Sequence, residues 1–526
     1  MRRLGLASGV LLVLGLAGCS TGMIGDMGSG GSTGGAGTAG GAGTTGGAGT
    51  TGGGGRAGAA GAGAGMTGGG GRVGAAGSGS TGAAGTTGAA GTTGAAGATG
   101  FAGTTGAAGA GGGGMPTGSL LDRLGTTDVT VPAGVKPGVR NYRIWTSQML
   151  RVAPVYTAPL ANCGTLICYT SGTAAAPNAR IVRLDAADRL AGALDLGAGL
   201  ECRGVAAEPD GHFAALVWDG AMDKIWVRRF DTAGVMGWST ELTNADNHPT
   251  DFGIGESRLE FGGGKYGAYY HVHSDSGHEG DTLKFTDAAS GTQSTTWSWG
   301  CSHSMSDLLT YHPTSNMFLA SCVTDCYPGT SGSEFATDSI GGVYTENRNR
   351  VMNVAAGCNG SVAGELGGAA AAPSGWKLVW NAHQGAVAMG QSSYSTSSMN
   401  QDIAFASIAT NKTLSGAVVW LTTTTGVNEA DSAIARWQPE GDATEQYVVG
   451  WLEPTAVYKL GRIGAAGAFI EAPIDVAAKA RWGQRDDPFR VHANRDVVWA
   501  WFDAANATTL HVARLRSGGS AQCATF

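Results

Sequence analysis

The chain has 526 residues, of which 93 are glycine, 14% are charged and 42% are hydrophobic, with a formal charge of −7. The first 117 residues hold four arginines and one aspartate, so the remainder carries 29 basic against 39 acidic residues. No block of Lys and Arg occurs in it, which excludes nucleic acid as a partner, because phosphate binding needs clustered cations.

Met1-Arg2-Arg3 is a short basic segment, and the apolar run Leu4 to Leu16 follows it. About a dozen apolar residues are too few to span a bilayer, which takes ~20, but they suit the core of a secretory signal. Leu16-Ala17-Gly18-Cys19 comes next. This tetrapeptide resembles the lipobox of bacterial lipoproteins. The resemblance implies removal of residues 1–18 and acylation of Cys19, with the lipid bilayer as partner. Several acyl chains on one residue give lasting attachment, where one chain gives marginal binding. Ser20 at the following position, in lipoproteins of this type, implies the outer membrane. The expected location is therefore a lipid anchor there, with the protein facing the periplasm or the cell surface.

Residues 19–117 follow as a Gly/Ala/Thr-rich stretch, with 43 glycines between Thr21 and Thr117. It has too little apolar surface to offset the entropy of ordering, so it is expected to be a disordered tether. As a coil it would average roughly 55 Å end to end. From Gly82 to Gly109 glycine falls at every third position, ten in a row. That is the period of collagen, but the run lacks the proline that a triple helix needs.

Residues 118–526 show short apolar runs separated by turn signals, the pattern of an all-β domain. A unit recurs: an apolar strand with a late aromatic, a polar loop, then a strand ending in a turn with Asp, Gly or Asn. Phe213 to Trp218 followed by Lys224 to Gly234 is one copy, and Val497 to Trp501 followed by Leu510 to Arg516 is another. Anchors at Cys168, Trp218, Tyr270, Ser321, Trp380, Trp451 and Trp501 are 50, 52, 51, 59, 71 and 50 residues apart. Seven units of about 50 residues fit a β-propeller of four-stranded blades. Burial of both sheet faces between neighbouring blades accounts for apolar runs in place of alternation. The unit is similar to the generic blade of secreted bacterial propellers, over about 350 residues and without an exact motif. A pair of β-sandwich domains is the alternative architecture.

Eight cysteines remain after Cys19, an even number that in an exported protein implies disulfides. Cys163 with Cys168, and Cys322 with Cys326, are spaced for local staples. Cys523, at the extreme C-terminus, suits a ring closure to an early cysteine such as Cys202. Cys301 and Cys358 bracket one unit. A zinc site at Cys322, Cys326 and Cys358 is the rival reading.

Five of the ten histidines fall between His271 and His312. His271 and His273 lie two apart on a strand, so their side chains share a face. The loop after them carries His278, Glu279 and Asp281, and His303 follows in the next connection. Imidazole and carboxylate suit a divalent transition metal, which would be the cofactor of this cluster. Glu279 and Asp281 are then the candidate catalytic bases. Trp297, Trp299, Tyr394 and Trp482 are candidate platforms for sugar rings. Two functions follow. The first is a tethered propeller that binds a glycan, peptide or protein partner without catalysis. The second is a metal-dependent secreted lyase or hydrolase built on His271, His273 and His278.

Overall fold

The structure is a computed structural model that describes residues 118–137, 155–243, 257–273, 279–298, 306–324, 342–346, 349–353, 364–382, 384, 400–482, 488–519 and 523. The expected signal, Cys19 and the expected tether lie outside these residues. The fold is all-β: seven four-stranded antiparallel sheets hold the described strands, with a single helical turn at Leu120–Arg123. No helix among the described residues is long and apolar enough to cross a membrane.

Each sheet is one blade. Blades I to VI take their strands in chain order from 156–198, 200–241, 257–298, 306–353, 364–420 and 430–475. The first strand of each blade is innermost. It touches the first strands of the neighbouring blades, and together these strands surround a central channel. All seven anchor residues fall on the second strand of their blade. The two long anchor spacings come from the connections between second and third strands in blades IV and V, from Thr324 to Gly342 and from Ala382 to Asp402.

Burial falls off outward, and this explains the sequence pattern. The second strand of blade V, Gly375–Ala382, is buried at every residue because both its faces are covered. The fourth strand of blade II, Met236–Glu241, alternates between exposed and half-buried positions over most of its length. In blades I to III the turn between third and fourth strands is closed by an aspartate. Asp231 accepts the backbone N–H groups of Ala233 at 2.9 Å and Val235 at 2.8 Å. Asp185 does the same for Ala187 and Arg189. A carboxylate that satisfies two turn amides fixes the reversal without a longer loop.

Seven hydrophobic clusters hold the ring together, and each spans two adjacent blades. Leu166, Cys168 and Ile181 of blade I pack on Val205, Ala215 and Val217 of blade II. Ile167, Tyr169 and Val182, on the other face of blade I, pack on Val498, Leu510 and Val512 of blade VII. The remaining five repeat this arrangement around the circle. Blades approach closely near the channel. A Cβ on Gly367 of blade V would lie 2.2 Å from the Ser432 carbonyl oxygen of blade VI, so only glycine fits there.

Blade VII is completed by the N-terminal part of the domain. Its three inner strands are Arg490–Val491, Val497–Trp501 and Thr509–Leu515, and its outermost strand is Leu124–Thr130. The ladder runs from Leu124 opposite Leu515 to Thr130 opposite Thr509.

The disulfides correct the sequence reading. Cys163 is bonded to Cys523, with Cα atoms 5.2 Å apart, and Cys168 to Cys202, with Cα atoms 6.0 Å apart. The pleat is the reason. Cys168 shares the face of Leu166 that looks at blade II, where Cys202 sits, whereas Cys163 lies in the turn before that strand. Cys523 does close the ring, but onto Cys163. Cys322 is also disulfide-bonded, which removes it from the proposed zinc set. Cys301, Cys326 and Cys358 lie outside the described residues.

Candidate functional site at the lower mouth of the channel

The described part of the histidine-rich segment lies on the second and third strands of blade III. His271 and Asp281 are directly opposed on neighbouring strands of blade III, and both are buried. Imidazole Nδ1 lies 3.1 Å from the Asp281 carboxylate, and the Tyr269 hydroxyl donates to the same carboxylate at 2.9 Å. Burial, reinforced by the charges of Asp281 and Asp307, pushes the Tyr269 phenol well above its usual range. Asp281 is therefore an acceptor inside the blade and not a base that meets solvent. The backbones of His273, Glu279 and Trp297 are described without their side chains, and His278, Trp299, His303 and Tyr394 lie outside the described residues. Among the described residues no three His, Cys, Asp or Glu side chains are grouped to hold a metal ion. Trp482 is core: it is 3% exposed, packs edge-on against Tyr458 and Trp499, and donates to the Asp431 carbonyl at 2.9 Å.

The structure assembles a different site where the first strands of the blades end. All seven blades contribute to a cavity of about 640 Å³ there, within the usual size range for small-ligand pockets. Small residues form part of its wall: Ala206 and Ala207 of blade II, Ala369 to Ala371 of blade V, and Ala435 of blade VI. Each innermost strand has a ladder partner on only one side, so its inner edge faces the channel. Unpaired edges of this kind supply N–H and C=O groups. Arg490 of blade VII pairs across the channel with Glu260 of blade III. Arg436 of blade VI and Arg495 of blade VII also line the wall and are exposed. A second cavity of about 550 Å³ adjoins the first, sharing Phe261, Val491 and Ala493 with it. Phe261 and Tyr311 bring half-buried aromatic rings to it.

The floor is fixed by the seam between blades VII and I. His492 is 2% exposed, and its Nε2 lies 3.1 Å from the Thr165 hydroxyl. Burial, with the Arg514 charge nearby, holds this imidazole down at about 3. A base depressed in the folded state is protonated first in the unfolded chain, so stability is lost as pH falls from about 6.5 towards 3. His492→Gln is expected to flatten that part of the stability–pH curve, measured by urea unfolding at pH 7.5 and 4.5. An undiminished slope would place the acid sensitivity elsewhere. A further titratable group lies in the link between blades V and VI. Glu429 is fully buried, and burial with the charges of Asp402 and Glu453 raises its carboxyl to about 7.

The sequence reading missed this cavity. Its one legible signal was the alanine run Ala369 to Ala372, small side chains late in a first strand. The arginines are isolated in sequence and meet only because the strand ends converge.

No family model matches this chain, and no curated protein does. Similar solved structures include the BP39L lectin from Burkholderia pseudomallei, at 12% identity and TM-score 0.47, covering 71% of this chain and 99% of that one. Polysaccharide lyase Uly1 is similar at 9% identity and TM-score 0.44, over 75% of this chain and 99% of that one. The β-propeller domain of the Trilobed protease from Pyrococcus furiosus is similar at 8% identity and TM-score 0.37, over 68% of this chain and 91% of that one.

Proposed function

We propose that the protein is a lipid-tethered β-propeller that binds a glycan at the lower mouth of its channel, without catalysing its conversion. The observation that carries this reading is the cavity to which all seven blades contribute, with small residues in its wall and aromatic rings at its opening. Sugar hydroxyls are both donors and acceptors and match the free edges of the inner strands, while flat aromatic faces suit the apolar faces of sugar rings. The lipobox-like Leu16-Ala17-Gly18-Cys19 and the long Gly/Ala/Thr stretch support a role away from the point of attachment. Cys19 as the acylated residue and the outer membrane as its location belong to the same proposal.

Ala493 is exposed in a turn and lines both cavities, so Ala493→Trp fills the mouth without disturbing a core. Titration of the full chain with a panel of neutral and acidic oligosaccharides is expected to find a ligand whose affinity drops at least tenfold in this variant. Unchanged affinity, or no ligand in the panel, would overturn the assignment.

A further inference from the structure

We infer that the ligand carries carboxylates, and that Arg436 and Arg495 select it: the cavity is a site for a uronate-type acidic oligosaccharide. This rests on the glycan reading above and adds its charge class.

The cavity reverses the sign of the domain's charge balance. Residues 118–526 carry 29 basic against 39 acidic residues, yet among the described residues the cavity wall holds three arginines and one carboxylate. Glu260 is engaged by Arg490. Arg436 and Arg495 have no ion-pair partner among the described residues. Glu208, at the edge of the second cavity, accepts from Arg229 at 2.6 Å and from the Tyr266 hydroxyl at 2.5 Å. His492 on the floor is kept neutral by burial. Among the described residues the wall therefore has two cationic charges in excess, in a concavity whose apolar surroundings focus the field.

Both guanidinium groups are placed by the fold. Arg436 ends the first strand of blade VI, opposite Tyr447. Arg495 sits in the turn joining the first two strands of blade VII, at φ 68°, and the turn is closed by its own N–H on the His492 carbonyl at 2.8 Å. Guanidinium is the side chain suited to planar carboxylate recognition, through two parallel N–H···O bonds. A uronate ring combines such a carboxylate with hydroxyls and an apolar face. A chain of such rings can present carboxylates to the arginines of the first cavity and apolar faces to the Phe261 and Tyr311 rings of the second. An acidic peptide would use the arginines but has no ring to set on the aromatic mouth.

The test titrates the full chain with trigalacturonate and with the same trimer after reduction of its carboxyl groups. A hexaglutamate peptide serves as the other acidic probe. The acidic trimer is expected to bind at least tenfold more tightly than the reduced one. Arg436→Gln and Arg495→Gln should each weaken the acidic trimer about tenfold and leave the reduced one unchanged. Equal affinity for the two trimers, both lost in Ala493→Trp, would overturn the charge assignment and keep the glycan reading. Tighter binding of hexaglutamate, lost in Arg436→Gln, would assign the site to a peptide. Binding of neither trimer would overturn the uronate assignment, and the wider oligosaccharide panel then decides the glycan reading separately.

Discussion

Replacing Arg514 by methionine is expected to lower the unfolding free energy by about 3–5 kcal/mol, the usual consequence of removing one partner from a buried ion pair. Arg514 is 2% exposed on the third strand of blade VII, and Asp188, equally buried, sits in a turn of blade I. Two parallel bonds join them, Nε to Oδ2 at 2.9 Å and Nη2 to Oδ1 at 2.5 Å. Asp496 approaches the same guanidinium at 3.6 Å. Methionine roughly keeps the length of the side chain but leaves two carboxylates without their cation in a place water does not reach. The cost arises from those stranded charges and not from any great strength of the pair. The double variant Arg514→Met with Asp188→Asn should therefore recover part of the loss. Urea unfolding of both variants checks this. A loss under 1 kcal/mol in the single variant, or a fully additive double, would show that the seam does not depend on the pair.

Removing the Cys163–Cys523 bond is expected to have an effect of similar size. The bond spans 360 residues and encloses nearly the whole ring, whereas Cys168–Cys202 spans 34 and joins two neighbouring blades. In the chain-entropy view a crosslink restricts the unfolded chain more as its loop grows, reaching about 4–5 kcal/mol for loops of a hundred residues or more. Cys163→Ser with Cys523→Ser should thus destabilise more than Cys168→Ser with Cys202→Ser. Denaturant midpoints of the two double variants, under oxidising conditions, give the comparison. The reverse order would mean that the C-terminal segment leaves blade I before the blades come apart, so that the crosslink restrains only a tail.

These two features mark where sequence reading stopped. Strand pattern and turn chemistry are local, so the anchors from Cys168 to Trp501 and the Asp231-type turns were visible. Closure is not local. Leu124–Thr130 pairs with residues almost four hundred positions later, and no periodicity announces that. The cysteine spacing favoured short staples, but the strand pleat, not the spacing, decides which blade Cys168 faces. The histidine-rich stretch was legible as a cluster and His271 and Asp281 do meet. Sequence could not say that they meet inside the blade. The channel cavity depends on seven strand ends converging, which exists only in three dimensions.

The placement of the outermost strand of blade VII has a mechanical consequence. Any pull delivered through residues 1–117 enters the domain near Leu120, whose N–H is held by Glu471 at 2.8 Å, and then at Leu124, whose carbonyl accepts from Lys479 at 3.2 Å. The load passes next into the ladder between Leu124–Thr130 and Thr509–Leu515. None of the fasteners between blades VII and I — Cys163–Cys523, Arg514–Asp188, His492 on Thr165 — includes a residue of that strand. Tension applied through the segment before Leu120 can thus strip the outer strand as a sacrificial layer while the clasp of the ring, and the cavity at its mouth, stay fastened.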